Sequence, residues 1–135
     1  MHFSLKEIHP LTIHELTIPE PLESGKESVV LDCDYDYGED DKIVLEVKWY
    51  FEDSNNIIYQ WVAGTEPRVA RTTQFENVID VNYEGHEDAF KKHSALKLDN
   101  PTYAHSGVYT CKVSSLFNED FKTGRLTVYG MDILE

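Results

Sequence analysis

Short alternations of apolar and polar residues run along the whole chain, broken at intervals by glycine, proline or acidic clusters, and a period of two is the mark of half-buried β-strands. Residues 11–18 alternate until Pro19-Glu20-Pro21 stops them, which predicts an edge strand covering a sheet edge. After the turn Ser24-Gly25-Lys26, residues 28–35 set Val29, Leu31, Cys33 and Tyr35 on one face and Val30, Asp32 and Asp34 on the other. Residues 43–51 place Leu45, Val47, Trp49 and Phe51 inward, and leave Glu46, Lys48 and Tyr50 outside with Glu52. The turn Asp53-Ser54-Asn55-Asn56 leads into a further strand over 57–62. Residues 63–74 are poorly patterned and fit a short strand or an irregular connection equally well.

Residues 75–83 alternate again and predict another strand, followed by a polar loop over 84–91. Ser94, Leu96 and Leu98 give the next strand its inward face, and Asp99-Asn100-Pro101-Thr102 begins a corner. Strands over 108–116 and 121–129 close the pattern around the loop Asn118-Glu119-Asp120, with Leu126 and Val128 facing the core. Residues 11–129 thus make one domain, flanked by an N-terminal extension (1–10) and a tail or linker start (130–135). No internal repeat interrupts it.

One constellation gives these strands a common architecture. Tyr109 stands two residues before Cys111 in Ser106-Gly107-Val108-Tyr109-Thr110-Cys111, Cys33 lies far upstream, and Trp49 follows that first cysteine. This spacing resembles the immunoglobulin sandwich. The resemblance implies an all-β fold of variable type: a Greek key of two antiparallel sheets, with one inter-sheet disulfide between Cys33 and Cys111. Trp49 would cover the bond, and Tyr109 would turn its hydroxyl back onto the chain at the corner before its strand. The strand over 57–62 is the extra one that lengthens a variable-type sheet.

Composition narrows the function classes. Hydrophobic residues make up 41% and aromatic residues 12%, which suits a packed core. Asp+Glu number 25 against 12 Lys+Arg, a formal charge of −13 that argues against a nucleic acid partner and against docking on anionic lipid. A single structural disulfide implies an extracellular or secretory setting. Residues 1–10 contain no continuous apolar stretch of a signal peptide, and no long apolar run offers a membrane span, so membrane insertion by this chain is not expected. The sequence reads as a mature ectodomain or as a segment whose signal lies outside it. None of the six Asn residues begins a usable glycosylation sequon, since Asn100-Pro101-Thr102 has proline in the forbidden position.

Three features of the chain invite a chemical reading. The acidic run from Asp32 to Asp41 invites a calcium-loop reading, but counting from Asp32 the sixth position is Tyr37 and the twelfth Ile43, where glycine and glutamate are required. A solvated strand face and a charged loop remain. The six histidines are scattered without metal-ligand spacing, and no phosphate-binding glycine loop occurs. His105 and Ser106 are neighbours in sequence, whereas nucleophilic catalysis requires spatial adjacency. Neither an enzyme nor a cofactor or metal is expected.

The segments Glu27-Ser28-Val29-Val30-Leu31-Asp32-Cys33-Asp34-Tyr35, Val47-Lys48-Trp49-Tyr50-Phe51, Ile58-Tyr59-Gln60-Trp61 and Ser106-Gly107-Val108-Tyr109-Thr110-Cys111 resemble the first immunoglobulin domain of the Beaten path family. Members are neuronal cell-surface or secreted guidance proteins that bind immunoglobulin-superfamily receptors of the Sidestep type. The resemblance implies an extracellular recognition module in adhesion or axon guidance. His105 departs from it, standing where an acidic residue usually ties the corner by an ion pair, and the second immunoglobulin domain typical of the family is not in this chain. A glycine bulge of immune-receptor type is missing from Phe121-Lys122-Thr123-Gly124-Arg125.

With Trp49, Tyr109 and Cys111 turned inward, alternation places Lys48, Tyr50, Thr110, Lys112 and Ser114 outward on one sheet face. Tyr59, Gln60 and Trp61 are expected beside them as partner-contacting residues. Aromatic anchors among polar neighbours are the composition of an interface core. Self-association of the domain stays open, as do two other roles: a structural spacer with a polar face, and a soluble defence or carrier protein with an internal cavity for an apolar ligand.

Overall fold

The computed structural model describes residues 11–25, 27–70 and 74–130. Its smaller sheet is built from β1 (Thr12–Thr17), β3 (Val29–Asp36) and β7 (Leu96–Leu98), paired antiparallel in the order β1-β3-β7. The larger sheet contains β4 (Leu45–Phe51), β5 (Ile57–Val62), β6 (Arg68–Val69), β8 (Gly107–Ser115) and β9 (Glu119–Leu126), in the order β6-β5-β4-β8-β9. Between the sheets the inward residues close a continuous core, with Leu31, Cys33, Tyr35, Val47, Trp49, Tyr109 and Cys111 all 0% exposed.

Strict alternation explains why the two central strand pairs match expectation. In β3, buried residues recur at Val29, Leu31, Cys33 and Tyr35, and in β4 at Leu45, Val47, Trp49 and Phe51. Cys33 and Cys111 form the inter-sheet disulfide, with Cα atoms 6.4 Å apart and a sequence separation of 78. A cross-link closing so long a loop stabilises by about 4.5 kcal/mol in the chain-entropy account. Each large aromatic beside it has its polar atom satisfied, as burial requires. Trp49 donates its indole N–H to the Ser94 carbonyl (2.9 Å), and Tyr109 donates its hydroxyl to the His105 carbonyl (2.6 Å), the turn-back expected at that corner. Burial pushes the Tyr35, Tyr59 and Tyr109 hydroxyls far above the usual phenol range.

Among the described residues the corner is tied by His105. His105 accepts the Thr102 backbone N–H at Nδ1 (2.9 Å), which leaves Nε2 as the donor to the Gln74 carbonyl (2.7 Å). Gln74 returns a hydrogen bond from Nε2 to the Ala104 carbonyl (2.7 Å). The His105 ring thus bridges the two segments through both of its nitrogens. Next to it Gly107 has φ 157, and a Cβ there would run into the Phe51 ring and the Glu52 carboxylate, so no other residue fits.

Three expectations need correction. Residues 75–83 do not form a strand: they turn through 74–78, with Asn77 at φ 62, and their backbone meets the smaller sheet at the Ile79–Leu98 bridge and its flanking bonds, Asp80 N–H to Lys97 O and Asp99 N–H to Val78 O. The alternation there reflects two anchors, Phe75 and Ile79, dropped into the core from an otherwise solvent-facing loop. The edge strand expected over 11–18 is present as β1, at one edge of the smaller sheet and ended before Pro19. Beyond the prolines β2 (Leu22–Glu23) pairs parallel with β10 (Val128–Tyr129) in a separate two-stranded sheet, so the last predicted strand is split into β9 and β10. Finally, β5 carries an irregularity where Trp49 faces Tyr59 but Tyr50 faces Ile57, which turns both Ile58 and Tyr59 inward. The described residues among 63–74 contain one short strand, β6, paired with β5; residues 1–10, 26, 71–73 and 131–135 lie outside the described set.

Candidate interaction face

The outer face of the larger sheet follows from the register. Lys48 on β4 stands opposite Lys112 on β8 and Gln60 on β5; Tyr50 stands opposite Thr110, and Glu46 opposite Ser114. Six of the eight residues expected on this face, Lys48, Tyr50, Gln60, Thr110, Lys112 and Ser114, are therefore together on it, all half-buried. Two lysines directly across a ladder repel. Carboxylates offset that repulsion: Glu46 lies 3.8 Å from Lys48 and also accepts from the Gln60 amide, and Glu119 lies 3.5 Å from Lys112.

Tyr59 and Trp61 are not on this face, and their expected outward projection is corrected. They are 2% and 1% exposed, because the β5 irregularity aligns them with the inward residues Trp49 and Val47. Tyr59 donates its hydroxyl to the His93 carbonyl (2.8 Å), and Trp61 donates its indole N–H to the Thr65 carbonyl (3.0 Å) while its ring meets His93 edge-on at 5.6 Å. Together with Tyr35, Trp49, Phe75 and Tyr109 they fill the space between the sheets that a ligand carrier would keep open.

The aromatic anchor of the face is on the opposite flank. Phe121 on β9 pairs with Lys112 and is 62% exposed, and Arg125 on the same strand pairs with Val108 and is exposed. Both were readable from period two once Leu126 was turned inward, since residues 121, 123 and 125 then point out. Arg68 on β6, opposite Gln60, adds a second exposed guanidinium. From one edge to the other the face carries Arg68, Lys48, Lys112 and Arg125 against Glu46 and Glu119, an excess of positive charge on a chain of formal charge −13.

The smaller sheet's outer face is acidic and internally paired. Asp32 bonds His86 (3.0 Å), Asp34 bonds His14 (2.9 Å) and Lys91 (3.3 Å), and Asp36 reaches the other ring nitrogen of His14 (3.3 Å). Hydrogen bonding to Asp34, with Asp36 adding to it, raises the His14 pKa above its ordinary value. Lys97 lies 3.4 Å from Asp80 and 3.7 Å from Asp99. Asp32, Asp34 and Asp36 are thus held by histidine and lysine, and among the described residues no group of three His, Cys, Asp or Glu side chains has a metal-holding arrangement. No described helix is long and apolar enough to cross a membrane.

Comparison with curated proteins returns no match. The family model of the immunoglobulin V-set domain matches residues 20–129, nearly all of the sandwich. Two sheets pinned by Cys33–Cys111, the Trp49 cover, the Tyr109 corner and the added strands β5 and β6 agree with that match, and the chain belongs to the immunoglobulin V-set family.

Proposed function

We propose that the domain is an extracellular protein-recognition module that docks another cell-surface protein through the outer face of its larger sheet. The observation that carries this reading is Phe121, a large aromatic left 62% exposed on β9 opposite Lys112, on the sheet face that also carries Lys48, Tyr50, Gln60, Thr110, Ser114 and Arg125. An exposed anchor ringed by polar groups is the make-up of an interface centre. The family membership and the disulfide support an extracellular setting. In its finer form the proposal is adhesion or axon guidance by a Beaten path-like domain with an immunoglobulin-superfamily receptor of the Sidestep type, resting on the sequence resemblance alone. A spacer would leave this face without an anchor. The test is a binding screen of the oligomerised domain against a panel of extracellular immunoglobulin proteins: a saturable partner is expected, and silence across the panel counts against recognition.

A further inference from the structure

Of the larger sheet's two edges, the one formed by β9 is open among the described residues. β9 ends the order β6-β5-β4-β8-β9 and pairs with β8 alone. β1 passes under its inner face, with Leu16 and Ile18 lying against Gly124, and does not join its ladder. Edge cover begins only beyond β9, where the Leu22 N–H bonds the Thr127 carbonyl (3.2 Å) and β2 pairs with β10. The Phe121 N–H bonds a side-chain oxygen, Asp120 Oδ1 (2.9 Å), and so points away from β8. Alternation then turns the N–H and C=O of Thr123 and Arg125 to the same edge, and such a row of groups is a template for another strand.

The side chains along this edge are unengaged as well. Phe121 is 62% exposed, and Lys122 and Arg125 are exposed and form no ion pair among the described residues. Lysine on an edge strand ordinarily wards off a second strand. Here the sequence undoes that guard. When β9 is laid antiparallel on β9 of a second copy and centred on Phe121, Phe121 meets its counterpart, Asp120 meets Lys122, and Glu119 meets Thr123. The aromatic pair falls on the outer face and the two Asp120–Lys122 pairs on the inner one, both favoured cross-strand combinations. Sliding the strands to set Glu119 against Arg125 brings Lys122 against Lys122, a like-charge pair that costs stability, so the Phe121-centred register is the one selected.

We propose that β9 is a self-pairing edge through which two copies of this domain associate about a two-fold axis into one continuous sheet. Asp120 makes the exchange possible. Its Oδ2 keeps the Ile13 N–H (2.8 Å), while the Phe121 N–H passes from Oδ1 to the Phe121 carbonyl of the second copy and frees Oδ1 for that copy's Lys122. The axis stands perpendicular to the sheet, so the outer faces of both larger sheets look the same way. A docking face held in duplicate gains avidity without any new contact. Self-pairing itself goes beyond the recognition reading and is measured on the domain alone.

Sedimentation equilibrium at about 0.15 M salt, where the screening length is about 8 Å, reads the association against the mutual repulsion of two chains of charge −13. Wild type should pass from monomer to dimer below about 1 mM. Thr123→Pro removes an edge N–H that the ladder to β8 does not use, and should abolish the dimer with unchanged melting. Lys122→Asp should weaken association at least about tenfold, and combining it with Asp120→Lys should restore the dimer. Under mild oxidation Phe121→Cys should cross-link two copies, because facing Cα atoms of a hydrogen-bonded pair stand about 5.5 Å apart, whereas Lys122→Cys should not. A monomer at every concentration overturns the proposal, and so does a dimer that survives Thr123→Pro or that Lys122→Cys captures and Phe121→Cys does not. Those outcomes leave the docking-face reading standing, since its own test is the panel.

Discussion

Trp61 on β5 and Phe121 on β9 belong to strands that flank the β4–β8 pair of one sheet, yet Trp61 is 1% exposed and Phe121 62%. The difference is one of register and cover. At β5 the irregularity beside Tyr50 brings Ile58, Tyr59 and Trp61 to the inner side, where the loop ending at His93 closes over them. At β9 alternation runs unbroken against β8, so every second residue from Glu119 to Arg125 faces out. An aromatic residue in a strand therefore says little about its role until the register is known. The inward one holds the sandwich together, and the outward one is available to a partner.

Substitution should separate the two roles by stability. Trp61→Ala removes a large buried side chain and should cost about 3–5 kcal/mol, whereas Phe121→Ala, on the solvent side, should stay within about 0.5 kcal/mol. Urea denaturation of both variants checks the pair, and a comparable loss in each would erase the contrast. The corner at the base of the sheet predicts a smaller effect. His105→Ala strands the Thr102 N–H and the Gln74 carbonyl, and should destabilise by about 1–3 kcal/mol in the same assay.

The smallest effect belongs to the acidic outer face of the other sheet, where charges are paired and no anchor projects. Because the folded-state pKa of His14 is raised above the unfolded value, its contribution to stability is full below about pH 6.5 and is lost as pH rises through the folded value. Melting temperatures of wild type and His14→Gln should therefore converge toward alkaline pH and separate below neutrality. His14 is exposed enough for salt to shrink the gap.

Much of this architecture was legible because period two, the two cysteines, Trp49 and Tyr109 all constrain the same pair of sheets. What escaped was whatever a single residue can shift. The β5 irregularity needs one extra inward residue and reverses Tyr59, and no sequence signal distinguishes Ile57-Ile58-Tyr59 with it from the same run without it. Residues 75–83 alternate as a strand does, but pair at one bridge because the Phe75 and Ile79 anchors are set by burial and not by a ladder. Asp41 was read as one more charge in a solvated loop. Its burial depends on Ser115 and Asn118, residues more than seventy positions away that only the fold brings near. On the candidate face, the six residues fixed by the registers of β4, β8 and Gln60 were placed together, while Phe121 was missed although the inward turn of Leu126 implies its direction.

The central claim is that the outer face of the larger sheet is where a partner docks, and the direct measurement is the affinity of one panel-identified partner for three variants of equal thermal stability. Tyr50→Ala and Lys112→Glu lie on that face, and Val30→Ala lies on the outer side of the smaller sheet opposite Lys97. The first two should each weaken binding at least about tenfold and the third should leave it unchanged. Weakening by Val30→Ala that exceeds the effect of the other two would contradict the claim and move the docking surface to the opposite sheet.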